Sequence, residues 1–233
     1  MLAVNGMGYI DFHAHILPGA DHGSSSVEES LCQIRYASHY GIDRIIATPH
    51  FYPHVHTVDS FVKTRNAAYR SLVRHLDLDV EIRLGAEVLI CQGIENLPCI
   101  DKLFIEGTNC LLLELPFSEF DEAYLGSVAE MKKQGIDLIL AHADRYPIST
   151  VEKMLRAGAK LQLNASSLLG FFKRRDLYSM IEEKKVIALG SDIHGRDKKA
   201  YRNYAKAIDK IGSNAEYIIE QSNSIWNSGK AHK

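Results

Sequence analysis

The chain has 233 residues, of which 46% are hydrophobic, and this is enough for one full α/β domain but too little for two. Its 27 basic and 29 acidic side chains give a net charge of −2, which argues against an electrostatic surface for nucleic acid or for an anionic membrane. No segment reaches the roughly 18 apolar residues of a membrane span and the first residues lack a signal peptide, so we expect a cytoplasmic protein that does not insert into a membrane.

Seven short segments rich in isoleucine, valine and leucine are predicted to be β-strands. They are residues 9–12, 44–48, 81–86, 110–115, 137–142, 160–165 and 186–190. They alternate with longer segments of helical period, and this order is typical of β/α units around a parallel sheet.

The segments between the strands carry helix signals. In SSSVEESLCQIRYASHYG, residues 24–41, serine occupies the N-cap region, glutamates fill the first turn and Gly41 follows as a C-terminal stop. Further helices are predicted at residues 58–75, 121–134, 150–158, 176–184 and 198–211.

No internal repeat or linker divides the chain, so we expect residues 1–233 to form a single domain. Residues 1–6 read as a dispensable N-terminal extension and residues 225–233 as a tail. Seven β/α repeats favour a barrel, closed or distorted, over an open doubly wound sheet, although periodicity alone does not decide between them. In a barrel the chemistry lies at the carboxyl ends of the strands.

Six of the seven predicted strands end in side chains that can bind metal. These are His13 with His15, His50, Glu87, Glu114, His142, and Asp192 with His194. Only the strand at residues 160–165 ends without one. Residues two apart in an extended segment face the same way, so each of the two pairs offers two ligands together.

A buried cluster of imidazoles and carboxylates is stable chiefly when cations neutralise it, so the pattern predicts a metal centre. Imidazole and carboxylate ligands without thiolate suit zinc, manganese or iron. None of the four cysteines forms a C-x-x-C pair or begins a Cys-x5-Arg loop, which excludes a thiolate metal site and the thiolate nucleophile of the cysteine phosphatases. The predicted reaction class is metal-assisted hydrolysis.

The order and spacing of these motifs resemble the PHP (polymerase and histidinol phosphatase) superfamily. The matching stretches, DFHAHILPGADHG, GIDRIIATPHF, LGAEVLI, LLLELPF, LILAHADRYP, LQLNASSLLG and ALGSDIHG, run in order from residue 11 to residue 195. Within that superfamily the chain is most similar to the bacterial protein-tyrosine phosphatases of capsular and exopolysaccharide loci. The resemblance implies a distorted seven-stranded (β/α) barrel with two or three divalent metal ions, manganese first, and iron or zinc as alternatives.

The resemblance also implies a division of the ligands among three ions. One ion would be held by His13, His15, Glu87 and Asp192, a second by Glu87, Glu114 and His142, and a third by His50, His194 and the residue at position 22. The family usually has aspartate at that position, whereas this chain has His22. We expect His22 to bind the third ion and to shift its preference toward zinc or iron; the alternative is that His22 faces solvent and the third site is weak.

Three arginines are candidates for contact with a substrate phosphate. Arg145 follows the AHAD motif and resembles the family arginine that contacts phosphate. After the SDIHG motif the family has another arginine, and here both Arg196 and Arg202 stand in the right region. The sequence does not choose between these two.

The resemblance implies hydrolysis of phosphotyrosine in a protein, by direct attack of a metal-held hydroxide on phosphorus. The implied partner is a bacterial tyrosine autokinase that controls capsule or exopolysaccharide synthesis. One alternative is a histidinol-phosphate phosphatase of the same superfamily, and another is a metal-loaded scaffold that binds the phosphorylated kinase tail without catalysis. The native metal, the oligomeric state and the physiological partner stay open.

Overall fold

Nine β-strands, all parallel to their neighbours, form the framework of the computed structural model, which describes residues 8–116, 120–170 and 175–228. The strands are β1 (Tyr9–Ala14), β2 (Ile42–Ala47), β3 (His50–Phe51), β4 (Glu81–Leu84), β5 (Glu87–Leu89), β6 (Cys110–Glu114), β7 (Asp137–Leu140), β8 (Lys160–Asn164) and β9 (Val186–Gly190). They make a three-stranded sheet in the order β1-β2-β4 and a six-stranded sheet in the order β3-β5-β6-β7-β8-β9. The predicted α/β class with parallel strands is therefore confirmed.

The predicted seven-stranded barrel is not confirmed, because the described residues form two sheets and no closed barrel. Two of the predicted strands, residues 44–48 and 81–86, are each followed by a further short strand that belongs to the other sheet. Thr48 and Pro49 separate β2 from β3, and the proline has no N–H for a strand ladder. Gly85 and Ala86 lie between β4 and β5. Between β1 and the end of β9, the backbone bonds are Asp192 N to His13 O at 2.8 Å and His15 N to Ile193 O at 3.3 Å, and these do not make a strand ladder.

Seven α-helices of the described residues cover the strands. They are α1 (Val27–His39), α2 (Val58–Val73), α3 (Ala123–Lys133), α4 (Ile148–Arg156), α5 (Arg175–Glu182), α6 (Ala200–Ile211) and α7 (Asn214–Ser228). The first six lie where the sequence predicts them. Each of these six faces the core with apolar residues at helical spacing, as α1 does with Leu31, Ile34 and Ala37. None of the described helices is long and apolar enough to cross a membrane.

Two apolar clusters hold the elements together. The larger lies between the strands and the helices and includes residues of both sheets. The smaller is enclosed among the strands and consists of Ile10, Phe12, Ile46, Ile105, Cys110, Leu112, Ile139, Ala141, Ile187, Ala188 and Trp226. Trp226 comes from α7 and is 1% exposed, so the last helix completes the inner core.

The chain termini differ in part from the prediction. Residues 1–6, predicted to be a dispensable extension, lie outside the described residues. Residues 225–228 of the predicted tail belong to α7, because Trp226 is buried and fixes this end of the helix. The rest of the predicted tail, residues 229–233, lies outside the described part of the chain.

Candidate metal centre

The predicted ligands follow six different strand segments and meet at one edge of the sheets. His13 lies in β1 and His15 just after it, His50 begins β3, and Glu87 begins β5. The remaining ligands are at the end of β6 (Glu114), after β7 (His142) and after β9 (Asp192 and His194). The carboxyl ends of parallel strands share one edge, which explains why residues so distant in sequence converge. His50 and Glu87 fit this pattern because each lies three residues after the end of a strand, β2 and β4 respectively.

Glu87 lies at the middle of the group and is fully buried. Its Oε2 atom lies 3.2 Å from Nε2 of His13, 3.2 Å from Nε2 of His15 and 3.0 Å from Nδ1 of His50. Its Oε1 atom lies 2.6 Å from Nε2 of His142. With imidazoles at both oxygens, this carboxylate is placed to bridge two cations.

The other two carboxylates border the same group of imidazoles. Glu114 places Oε2 3.6 Å from Nδ1 of His50 and Oε1 3.6 Å from Nε2 of His142. Asp192 places Oδ1 3.4 Å from Nε2 of His15 and 3.5 Å from Nδ1 of His194. The centre thus has one carboxylate on either side of Glu87.

Four of the histidines have Nδ1 within hydrogen-bond distance of an oxygen that is not one of the predicted ligand atoms. The pairs are His13 Nδ1 with Gln162 Oε1 (3.2 Å), His15 Nδ1 with Asp21 Oδ2 (2.6 Å), His142 Nδ1 with Tyr146 OH (3.2 Å), and His194 Nδ1 with the Asp192 carbonyl oxygen (3.0 Å). An oxygen partner on one nitrogen fixes the ring and leaves the other nitrogen with a lone pair for a metal. This arrangement is typical of metal-binding histidines.

Several buried polar atoms of the group have no hydrogen bond of acceptable geometry, although other atoms of the group lie within about 3 Å of some of them. They are Nδ1 of His50, Oε2 of Glu87 and Nε2 of His194. Leaving a buried donor or acceptor unpaired costs about 1–3 kcal/mol, and a cation coordinated by these atoms would remove that cost. The unpaired atoms therefore fit a metal centre.

Three sets of ligand atoms lie close enough together to hold an ion, each set within 4.8 Å. The sets are His13 with His15 and Glu87, His50 with Glu87 and Glu114, and His15 with His50 and His194. Glu87 belongs to two of them, as expected for a bridging ligand. His50 and His15 are also shared, so the sets overlap more than the division into three separate ions implied by the sequence.

The charges of the group raise and lower its pKa values in a consistent way. Burial alone would lower the pKa of His50 and of His142, but contacts with Glu114 and Glu87 outweigh it and raise both pKa values to about 9. Burial would raise the pKa of Glu87, yet the neighbouring imidazoles hold it well below its usual range. The pocket thus favours positive charge. His194 differs, because burial and the nearby His15 lower its pKa to about 4, which leaves it neutral and ready to coordinate.

Two of the predicted ligands have a left-handed backbone, which is rare for residues other than glycine. The φ angle is +32° at His142 and +50° at Asp192. Such a conformation costs about 1–3 kcal/mol and persists only where the surrounding structure holds it. Strain at two ligand positions indicates that the fold stabilises this group of side chains at the expense of local backbone preference.

His22 lies beside the centre but outside the three ligand sets of the described residues. It is exposed, and its ring stacks on His50 at a centroid distance of 4.8 Å with an interplanar angle of 8°. The ring of His194 lies 4.7 Å away. The structure therefore places His22 at the solvent side of the imidazoles that were predicted to hold the third ion.

The three candidate arginines occupy different positions. A guanidinium nitrogen of Arg145 donates to Oδ2 of Asp192, while 40% of the Arg145 side chain stays exposed. Arg196 is 67% exposed, and its Nε lies 3.7 Å from a carboxylate oxygen of Glu29. Arg202 lies exposed in α6, and no hydrogen bond or ion pair among the described residues joins it to the centre. Only Arg145 contacts a predicted ligand.

The sequence did not single out the side chains that hold the ligands in place. These are Asp21, Tyr146, Gln162 and Asn164. A signal for two of them is present, because Gln162 and Asn164 are polar residues two apart in β8, next to the apolar Leu161 and Leu163. Asp21 stands in the same short loop as His22, and its carboxylate pKa is lowered below the usual range: burial opposes this, but the hydrogen bond from His15 outweighs it.

A parallel α/β fold with a buried cluster of histidines and carboxylates at the strand ends is typical of the metal-dependent hydrolases. The family model for capsular polysaccharide synthesis, CpsB/CapC, matches residues 9–225. The chain belongs to the CpsB/CapC family.

Relatives and a solved structure agree with this assignment. The chain is 28% identical to the tyrosine-protein phosphatase YwqE of Bacillus subtilis, over 91% of this chain and 89% of the relative. It is 24% identical to the tyrosine-protein phosphatase CpsB of Streptococcus agalactiae, over 93% of this chain and 97% of that protein. The fold is similar to a structure from the crystallographic work on YwqE of B. subtilis and CpsB of Streptococcus pneumoniae, described as unique metal-dependent tyrosine phosphatases, with a TM-score of 0.78, 22% identity and 94% of each chain covered.

Proposed function

We propose that this chain is a metal-dependent phosphatase that hydrolyses phosphotyrosine in a protein. The observation that carries the proposal is its match, over 91% of its length, to a relative named as a tyrosine-protein phosphatase. The buried group of histidines and carboxylates supports it, because such a group suits divalent ions that act on phosphoryl oxygens.

The residues that would hold the ions are the nine of the sequence prediction. His13, His15, Glu87 and Asp192 would hold one ion, Glu87, Glu114 and His142 a second, and His50, His194 and His22 a third. Manganese is our first choice, with iron or zinc as alternatives, because ligand type alone does not separate these metals. The short distances around Glu87 support its role as the bridge.

The reaction would transfer a phosphoryl group directly to water. Bound divalent ions would lower the pKa of a water molecule and neutralise charge on the phosphoryl oxygens. The exposed part of Arg145 would bind phosphate oxygens through two parallel hydrogen bonds. The water oxygen forms a bond to phosphorus, the bond from phosphorus to the tyrosyl oxygen breaks, and the products are inorganic phosphate and tyrosine.

The proposed partner is a bacterial tyrosine autokinase of capsule or exopolysaccharide synthesis, in the cytoplasm. Support comes from the family description, which concerns capsular polysaccharide synthesis. The near-neutral charge balance also suits a protein or peptide substrate better than nucleic acid.

A histidinol-phosphate phosphatase is the alternative within the same chemistry, and a metal-loaded scaffold without turnover is the alternative outside it. Both relatives described above are named tyrosine-protein phosphatases, which favours phosphotyrosine over histidinol phosphate as the substrate. Three sets of closely placed ligand atoms argue against a degenerate scaffold.

The deciding experiment compares two substrates on one protein preparation. Chelated protein is reloaded with Mn²⁺, and phosphate release is measured from a tyrosine-phosphorylated peptide and from histidinol phosphate. We expect release from the peptide and little from histidinol phosphate. A preference for histidinol phosphate would overturn the substrate, and metal binding without release from either would favour the scaffold. Glu87→Gln, expected to lose activity, is the control for a contaminating phosphatase.

A further inference from the structure

The strand without a predicted ligand, β8, directs two buried polar side chains toward the metal centre. Gln162 is 0% exposed and Asn164 is 5% exposed. Because they are two residues apart in a strand, they lie on the same face of the sheet. Amide side chains are buried without cost only when they are hydrogen-bonded, so their partners indicate their role.

Gln162 joins two of the predicted ligands through a single oxygen. Its Oε1 accepts a hydrogen bond from the backbone N–H of His142 at 2.7 Å and lies 3.2 Å from Nδ1 of His13. A backbone N–H only donates, so the atom that it meets is the amide oxygen, and this fixes the orientation of the amide. Nδ1 of His13 must then carry the proton, which leaves the lone pair on Nε2, the nitrogen that faces Glu87.

Asn164 forms a similar hydrogen bond with a third predicted ligand, Asp192. Its Nδ2 donates to Oδ2 of Asp192 at 2.9 Å, and its Oδ1 accepts from Nε2 of Gln162 at 3.3 Å. With Oδ2 engaged, Oδ1 of Asp192 is the oxygen turned toward His15. The two amides thus link His13, His142 and Asp192, and the last two are the predicted ligands with a left-handed backbone.

The neighbouring strand leaves room for this arrangement. Gly190 of β9 pairs with Asn164 in the sheet register. A Cβ atom at Gly190 would lie 2.6 Å from Nε2 of Gln162 and 2.6 Å from Cβ of His13, closer than atoms can pack. Only glycine therefore allows Gln162 and His13 to approach each other here.

We infer that Gln162 and Asn164 are positioning residues of the metal centre, which fix the protonated nitrogen of His13 and the orientations of His142 and Asp192. The inference rests on the proposed function in one respect, since it takes this centre to bind divalent ions. It does not depend on which phosphate ester is hydrolysed.

The test measures ion affinity in the absence of substrate. Gln162→Met keeps the length of the side chain but removes its acceptor and donor. We expect the dissociation constant for Zn²⁺, measured on the full chain by competition with a chromophoric chelator, to increase about 10–100-fold, the usual effect of losing a partner of a metal ligand. Gln162→Glu keeps the acceptor for both N–H groups and should bind Zn²⁺ about as tightly as the parent protein.

A matched control separates positioning from general destabilisation. Leu163→Ala changes a fully buried residue on the other face of the same strand, so it should lower the Tm without weakening Zn²⁺ binding. Parental affinity in Gln162→Met, or an equal loss of affinity in Leu163→Ala, would overturn the inference. If the Zn²⁺ affinities are as expected but the parent protein does not hydrolyse phosphotyrosine, only the proposed function is overturned.

The parent protein supplies a second test that does not depend on a variant folding. In the ¹⁵N NMR spectrum of the zinc-loaded chain, we expect the His13 ring to carry its proton on Nδ1. A proton on Nε2 would contradict the inference, because the zinc ligand would then be the nitrogen that faces Gln162.

Discussion

Each histidine of the centre has two ring nitrogens, and the structure decides which of them is available. In His13, His15 and His142, an oxygen partner engages Nδ1, and Nε2 faces the carboxylates. His50 is turned the other way, with Nδ1 toward Glu87 at 3.0 Å. The sequence can name a histidine as a ligand, but the partner that selects its nitrogen lies elsewhere in the chain.

At His22 this chain departs from the family pattern that the sequence resembles, which usually has aspartate there. We expect His22→Ala to lose one ion per chain, because the exposed ring stacks on His50 and lies beside His194. The measurement is metal content after reloading and gel filtration, with His54→Ala in the neighbouring loop as the control. Unchanged stoichiometry would remove His22 from the ligands.

Arg145 is the arginine that the structure joins to the centre. We expect Arg145→Met to lower kcat/KM for a phosphotyrosine peptide by about 10–100-fold, the effect of losing hydrogen bonds to a charged group worth about 1.5–3 kcal/mol. Arg156→Met is the control and should keep the parental kcat/KM, because Arg156 is exposed on α4, pairs with Glu152 and is not a candidate phosphate contact. An equal loss in both variants would argue against a specific phosphate contact by Arg145.

At the scale of helices and strands, local signals predicted most of the structure. The serine before α1 and the glutamates of its first turn are an example, because Ser26 accepts a hydrogen bond from the Glu29 N–H. Helix α7 was not predicted, although Ser213 and Glu216 have the spacing of a capping box. Its polar composition resembles a tail, and the burial of Ile218, Ser222 and Trp226 accounts for its place in the fold.

The cap of α1 gives a prediction at this scale. We expect Ser26→Ala to lower the free energy of unfolding by about 1 kcal/mol, because one N–H of the first turn loses its acceptor. Urea denaturation followed by circular dichroism is the measurement. Ser38→Ala is a matched control, an exposed serine in the last turn of the same helix, and should leave stability unchanged or slightly higher. Equal effects of the two substitutions would contradict a capping role.

At the scale of the whole molecule, α7 closes the inner core. Trp226 is the only tryptophan of the chain and packs among side chains from β1, β2, β6, β7 and β9. The guanidinium carbon of Arg83 lies 4.1 Å from the centre of its ring. Ser222, one turn earlier, donates to the Ile187 carbonyl near the start of β9. The ligands from β9 instead follow its carboxyl end, so structural support and the metal centre lie at opposite ends of that strand.

This separation predicts that stability and metal binding can be changed independently. Trp226→Ala should lower the free energy of unfolding by about 3–5 kcal/mol, as expected for deleting a large buried ring. Zn²⁺ affinity at a temperature where the variant is folded should match that of the parent. Trp226→Phe, which keeps a ring, is the milder variant. A loss of Zn²⁺ affinity in the folded variants would show that the two ends are coupled.

The sequence by itself determined the parallel α/β class, six of the seven helices and the residues that the structure brings together at the strand ends. These follow from local information, since periodicity and capping act over a few residues and a ligand beside a strand end remains there in any parallel fold. The tertiary structure alone decided that the strands form two sheets, that Trp226 enters the core, and that Gln162 and Asn164 form hydrogen bonds with the predicted ligands. Such contacts join positions far apart, as with His13 and Gln162, which are separated by 149 residues, and no local pattern encodes that pairing.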